Sequence, residues 1–398
     1  MNKSPTHPCG AALKLAASIG CLAATTAAFA QAQEESPYYI GISQGFTHDS
    51  NVNRSRPGAE TSDFYSSTGL LGGVNLRFGR QRVFADAEAQ VHRYNDVSGL
   101  NNKSYSVLGG LDWETIETLS GTLRYSARNS LNNFIASDGS TFLSDQRTQQ
   151  ATASARYGLA SNLSFDLGYE HRTLEIQSAT GRDYTQDMVS TGLRWAVGGK
   201  LTLGAGVRVT RGEQDAVPVT DEIKRRDIDL TAIWATGGAS TFNARLSATK
   251  ETHSLGTNAD LSETTGALSW SYRPTGRLSL TAAATRDTGK ETTFSPTAGG
   301  EGGEALPVDN TRLGTTFAID AQYELTGKIS LNGNVRQRKG TLSSSQSEAV
   351  KGYGLGLTYL PTRSLALRCS VSREDRTVAS ATAYQVTITG CTGEVTLR

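Results

Sequence analysis

The chain has 398 residues, 37% of them hydrophobic and 19% charged, with 39 Lys and Arg against 38 Asp and Glu. That even balance excludes a general nucleic-acid-binding surface, which needs a basic excess. Hydrophobic residues recur along the whole length, which excludes disorder and leaves two or three ordinary domains or one large β-barrel.

Residues 1–30 are a separate object. Lys3 and Lys14 give a weakly positive start, Leu15 to Ala30 is small and apolar, and Ala28-Phe29-Ala30 forms an Ala-x-Ala cleavage site before the polar Gln31 to Glu35. This pattern predicts a secretory signal peptide and a mature chain of residues 31–398. The apolar run is too short for a membrane helix. Ser18 stands three before Cys21, where a lipidation signal wants an apolar residue. Removal of the signal takes two lysines and no acid, so the mature chain is close to neutral. It leaves Cys369 and Cys391 in an oxidising compartment, where a disulfide is the default. The five histidines are scattered singly, so neither a metal site nor a cofactor is expected.

From Tyr38 onward, stretches of about ten residues alternate apolar and polar, the period of a strand between two different environments. The first strand is predicted near Tyr38 to Asp49, and its return near Thr68 to Phe78. Leu119 to Arg128, Leu163 to Glu170, Leu201 to Thr210, Phe242 to Thr249 and Ile329 to Arg336 repeat the alternation, and a last strand runs near Gln385 to Leu397. Short turn signals punctuate one side: Gly79-Arg80-Gln81, Ser161-Asn162, Gly198-Gly199-Lys200, Gly237 to Ser240, Pro274-Thr275-Gly276, Thr326-Gly327-Lys328 and Pro361-Thr362-Arg363. Longer polar loops are predicted on the other side, at Ala136 to Gln146, Gly212 to Glu222 and Gly289 to Pro307. Hairpins therefore repeat roughly every 40 residues. The count is about 18 strands, 16 being the alternative, and an even count puts both termini on one side.

Alternation also suits a soluble sandwich, and the aromatics decide between the two. Each strand entering a short turn ends in an aromatic on its apolar face: Phe78, Trp113, Tyr157, Trp195, Trp234, Tyr272, Tyr323 and Tyr359. A ring of such residues at one level is an interfacial girdle. The predicted fold is therefore all-β, a transmembrane antiparallel up-and-down barrel in the bacterial outer membrane, with both termini periplasmic. Arginines occupy the opposite face: Arg124, Arg156, Arg172, Arg194, Arg208, Arg245, Arg286, Arg336 and Arg368, interleaved with acids such as Asp86, Glu88, Asp112, Asp166, Glu170, Asp229 and Asp320. An arginine facing lipid costs about 2–4 kcal/mol at the midplane, so these residues are assigned to the lumen. About 18 strands give a backbone diameter on the order of 35 Å, too wide for side chains alone to fill. Only about seven residues lie between Ala30 and the first strand, too few for a plug domain.

The nine arginines are the candidate solute contacts; the competing reading is that Arg–acid pairs line a wet wall and stiffen it. Tyr38, Tyr39 and Phe46 suggest a sugar-stacking platform or ordinary wall aromatics. His92 and His171, with Ser126 or Ser164, are the candidates for a luminal esterase, and no short motif joins them; a glycosidase carboxylate pair would arise by chance in any acid-bearing lumen, so no enzyme is expected. Cys369 and Cys391 share the outward parity of their strands, and a cross-strand disulfide between the last two strands is the structural reading.

Phe46-Thr47-His48-Asp49-Ser50-Asn51-Val52-Asn53-Arg54, Arg93-Tyr94-Asn95, Leu100-Asn101-Asn102, Tyr105 to Trp113 and the closing Gly390 to Arg398 resemble the EpsL-type outer-membrane barrels of exosortase-associated exopolysaccharide loci, in the β-barrel porin 2 group. The resemblance covers nearly all of the mature chain. It implies a conduit in exopolysaccharide biosynthesis and export, with the secreted polysaccharide, outer-membrane lipid, periplasmic export components and the barrel-insertion machinery as partners. It carries no catalytic residues. The chain ends Leu397-Arg398, where many such barrels end in an aromatic. A general or solute-specific diffusion porin is the alternative reading.

Overall fold

The computed structural model describes residues 36–398 apart from 116–117, 136–140, 178–182, 217–218, 256–259, 289–312, 344–345 and 379–382. The expected signal peptide, the predicted loop at Gly289 to Pro307 and the tip of the one after Ala136 lie outside the described residues. Ser36–Arg398 form one compact unit. Its strands are β1 (Tyr38–Asp49), β2 (Asp63–Phe78), β3 (Gln81–Tyr94), β4 (Asn102–Glu114), β5 (Leu119–Ile135), β6 (Thr141–Ala160), β7 (Leu163–Ile176), β8 (Tyr184–Val197), β9 (Leu201–Ala216), β10 (Val219–Ala235), β11 (Ser240–His253), β12 (Leu261–Tyr272), β13 (Leu278–Asp287), β14 (Leu313–Thr326), β15 (Ile329–Ser343), β16 (Gln346–Tyr359), β17 (Leu365–Val378) and β18 (Tyr384–Leu397).

Each strand pairs antiparallel with the next, and β18 pairs with β1 from Ile40↔Leu397 to Asp49↔Ile388. The sheet is thus a closed, 18-stranded antiparallel barrel without an edge. For this strand number a tilt of about 40° is expected. The turns at one end are tight: Gly198 and Gly199, with φ of 60° and 76°, take the left-handed conformation that a short hairpin demands. Ser36 and Arg398, the ends of the described unit, lie at that end.

The exterior is apolar. Ile42, Leu70, Leu167, Leu193, Val207, Ile228, Leu246, Leu268 and Leu355 are all exposed, Ile228 at 64% and Leu355 at 68%. A water-soluble monomer does not carry an apolar belt of this extent; the belt matches hydrocarbon. At the short-turn end Phe78, Tyr157, Trp195, Trp234, Tyr323 and Tyr359 point outward, and Trp234, Phe242, Trp270 and Tyr272 stack in series with centroids 5.4–6.2 Å apart.

At the other end the strands run farther than the sequence suggests. Gly212 to Glu222, expected as a loop, is mostly strand: β9 and β10 stay paired up to Val219↔Ala216. Arg211 to Asp215 are polar or glycine on both faces, and backbone pairing persists without the alternation that marks a half-buried strand.

Candidate functional site

Eight of the nine predicted arginines face the lumen, since each alternates with outward apolar neighbours. Arg286 does not. Its register partners are Gly266 and Thr315, on the face that also carries Leu278, Leu280, Ala282 and Ala284. Near the long-loop rim its guanidinium meets Glu263 at 3.5 Å. The small alanines at 282 and 284 left its parity ambiguous in the sequence.

The lumen-facing arginines divide by burial. On β7–β12 they form a covered ionic layer. Asp227, with no exposed side-chain surface, accepts from Arg225 through Nε at 3.1 and 3.0 Å and through Nη2 at 2.9 Å, and from the Thr249 hydroxyl at 2.6 Å. Arg208 lies 3.5 Å from Asp227 and 3.3 Å from Asp229, and Ser247 donates to Asp229 at 2.5 Å. Arg225 also donates to Thr288, and Thr249 bonds Thr265. Arg172 and Glu170, both 1% exposed, share the inward face of β7, where Gln186 donates to Glu170 and receives the Tyr184 hydroxyl. Arg245 is buried on β11. The Arg225 and Arg208 guanidiniums are held by neighbouring acids and hydroxyls, as buried charges must be, whereas Nε and Nη2 of Arg172 are buried without a hydrogen-bond partner among the described residues.

The second group is wet. Arg82, Asp112 and Arg124 form a chain across β3–β5, with Asp112 at 3.6 Å from Arg82 and 3.9 Å from Arg124, and with both guanidiniums near the Phe84 ring. Arg156 and Arg194 share Asp166 at 2.7 and 2.9 Å. Arg368 pairs with Glu394, and Arg336 faces Asp320. The Arg124, Arg156 and Arg368 side chains are about half exposed, so they present charge to luminal water.

Above the covered layer, Phe134, Leu174, Ile176, Tyr184 and Ile223 make an inward apolar cluster at the mouth. The sequence reading missed it. Its signal is a parity flip: apolar residues on β7 are odd from Leu163 to Tyr169 and even at Leu174 and Ile176, with unbroken register against β6 over that end. Close by, His253 is held between Asp221 at 2.7 Å and Glu251 at 3.2 Å. The opposite wall is lean. On β16 Gly352, Gly354 and Gly356 face inward, and Asn334 and Asn332 lie across Gly354 and Gly356.

The remaining candidates disperse. His92 is luminal and bonds Ser104 at 2.8 Å, but His171 is on the outward face, bonded to Asp187, so the two do not share a site. Tyr38 and Phe46 point outward, whereas Tyr39 points inward and donates to Asp86, so no stacking platform forms. Cys369 and Cys391 stand directly opposite on β17 and β18 and are joined by a disulfide. The Asp49–Arg54 segment folds back on itself. Asp49 accepts from the Asn51 amide and from Arg54, and Asn51, fully buried, donates to the carbonyls of Ser55 and Gln385.

A closed barrel with an apolar belt outside and an ion-lined, partly wet interior defines a porin-type transmembrane β-barrel. No family model matches the chain, and no curated protein matches it. Solved structures do. OccK1 (OpdK) of Pseudomonas aeruginosa aligns at 11% identity with a TM-score of 0.50, over 90% of this chain and 99% of that one. The same porin crystallised with vanillate gives the same values. OccK2 (OpdF) of that organism aligns at 14% identity and a TM-score of 0.47, over 90% and 98%. At such identities the likeness is one of fold.

Proposed function

We propose that the protein is an outer-membrane diffusion porin selective for small anionic solutes, with both termini periplasmic and no catalytic task. The observation that carries this is the division of the luminal arginines. Arg172, Arg208 and Arg245 are buried in the wall, Arg208 between Asp227 and Asp229. Arg124, Arg156, Arg194, Arg336 and Arg368 reach the water and provide charge-assisted donors for a carboxylate passing along the wall. The structural neighbour OpdK, crystallised with vanillate, is consistent with a carboxylate of that size. The export reading, with a secreted polysaccharide as cargo, rests on the sequence resemblance alone, and no feature of the lumen favours it. The insertion machinery and outer-membrane lipid are the partners that a barrel of this kind requires.

The test is reconstitution in planar bilayers. The reading expects open channels, permeability to small aromatic carboxylates above that to neutral analogues of equal size, and loss of that preference in an Arg124→Gln/Arg156→Gln/Arg194→Gln variant that still conducts. Channels indifferent to solute charge, or an unchanged preference in the variant, would refute it. Block by a purified exopolysaccharide with no small-solute preference would establish the export reading instead.

A further inference from the structure

Among the described residues, the outward face of β9 to β11 carries a concentration of charge that the channel does not use. Arg211 on β9, Lys224 and Arg226 on β10, and Lys250 on β11 all point away from the lumen and are exposed. In register, Lys224 stands directly opposite Arg211, and Arg226 directly opposite Lys250. Like charges placed opposite each other across a ladder repel. Among the described residues, the side chains of Arg211, Arg226 and Lys250 make no hydrogen bond or ion pair, and Lys224 has only an exposed contact with Glu222 at 3.5 Å. Asp187, the acid opposite Arg211, is engaged by Tyr169 and His171, and Glu213 and Glu222 stand one pleat farther from the membrane.

The level of the patch identifies its counterion. Arg211 lies two residues beyond outward Val209, Arg226 two before outward Ile228, and Lys250 four beyond outward Leu246; all three apolar residues are exposed members of the hydrocarbon belt. Four cations therefore sit on three adjacent strands at the long-loop margin of that belt, where lipid headgroups lie. Clustered Lys and Arg at that depth attract anionic lipid, and two guanidiniums among them suit the bidentate geometry of phosphate.

We propose that this patch is a binding site for a phosphate-bearing glycolipid of the outer leaflet, its acyl chains lying along Val207, Val209, Ile228 and Leu246. The orientation, long loops outward, rests on the outer-membrane reading above. The site is fixed to one sector of the wall and holds one lipid there while bulk lipid exchanges around the rest.

The test uses full-length protein purified from outer membranes in mild detergent, with retained lipid measured by native mass spectrometry and phosphate assay. The wild type retains phosphorylated glycolipid. An Arg211→Gln/Lys224→Gln/Arg226→Gln/Lys250→Gln variant loses about tenfold or more of it. Lys339→Gln/Lys351→Gln, neutralising outward cations of β15 and β16, loses little. An Arg211→Lys/Arg226→Lys variant keeps retention within a few-fold and guards against a folding defect, which heat-modifiable gel mobility reports separately. Equal retention by the fourfold variant would overturn the proposal, as would equal binding of dephosphorylated glycolipid. Displacement by inorganic phosphate at matched phosphate concentration would also overturn it, by assigning the patch to the free ion. Channel conductance and membrane fractionation of the same samples test the porin reading independently, so the two can fail separately.

Discussion

Replacing Asp227 by alanine separates the covered ionic layer from the wet one. Asp227 is the shared counterion of Arg225 and Arg208, and its side chain is fully buried. Its removal takes a shared counterion from two guanidiniums that are each 5% exposed and removes the acceptor of the Thr249 hydroxyl. Breaking a buried pair by deleting one partner costs about 3–5 kcal/mol, because the orphaned charge keeps its desolvation penalty. That corresponds to a factor of roughly 100 to 4,000 in the ratio of folded to unfolded barrel. Asp112 is the control. It also sits between two arginines, at 3.6 and 3.9 Å, but its side chain is 30% exposed, and Asp112→Ala should cost less than about 1 kcal/mol. The assay is urea unfolding in lipid vesicles, followed by tryptophan fluorescence and by gel mobility with and without heating. Arg225→Ala/Asp227→Ala should cost less than the sum of the two single changes, since each removes the other's orphan. A cost for Asp227→Ala no greater than for Asp112→Ala, or strict additivity with Arg225→Ala, would show that the layer is solvated and that the division of the arginines is wrong.

Three further outcomes follow from the wall itself. Leu230→Arg puts a guanidinium on the apolar belt beside Leu246 and should cost about 2–4 kcal/mol in vesicle unfolding if the residue lies at mid-membrane depth; tolerance of the change would displace the belt. Cys369→Ser opens a bridge between residues 22 apart and should lower stability by about 3 kcal/mol, with added reductant reproducing the loss in the wild type but not in the variant. Gly121→Ala brings a Cβ against the Ser154 carbonyl and to 2.5 Å from the Trp113 ring, so it should cost about 1–3 kcal/mol and alter Trp113 fluorescence; an unchanged spectrum would mean the ring is not seated on that glycine.

Strands were legible in the sequence wherever two solvents imposed opposite demands on alternate residues. Leu201 to Val209 could be placed because every second side chain meets hydrocarbon. Legibility fails where that contrast fades. Beyond Thr210, Arg211 to Asp215 offer no apolar residue on either face, so a paired strand reads as a loop. Along β13 the outward residues are alanines, too small to declare a face, and Arg286 was placed on the wrong side. His171 was misplaced because polar residues on the odd positions of β7 begin just past Tyr169, where the belt ends. The arginines of the lumen were visible as a set, but their division into covered and exposed members was not. Burial of Arg208 or Arg245 depends on how β8 to β12 crowd one another's side chains, which is a property of the assembled ring.

Ring closure joins β1 to β18, some 350 residues distant along the chain. Chain entropy sets a modest toll on this, since closing a loop of that length costs only about 2–3 kcal/mol more than closing a 20-residue hairpin. The seam is secured beyond its ten register pairs. Ser50 exchanges backbone and hydroxyl bonds with Thr387, and Asn51 reaches Gln385. The Asp49–Arg54 stretch is thus a latch on the last joint to form. Until it engages, two open strand edges face the membrane with unmet backbone donors and acceptors, a state hydrocarbon does not tolerate. Assembly of this barrel is accordingly all or nothing, and a lesion in six residues at the rim would be felt as failure of the whole cylinder.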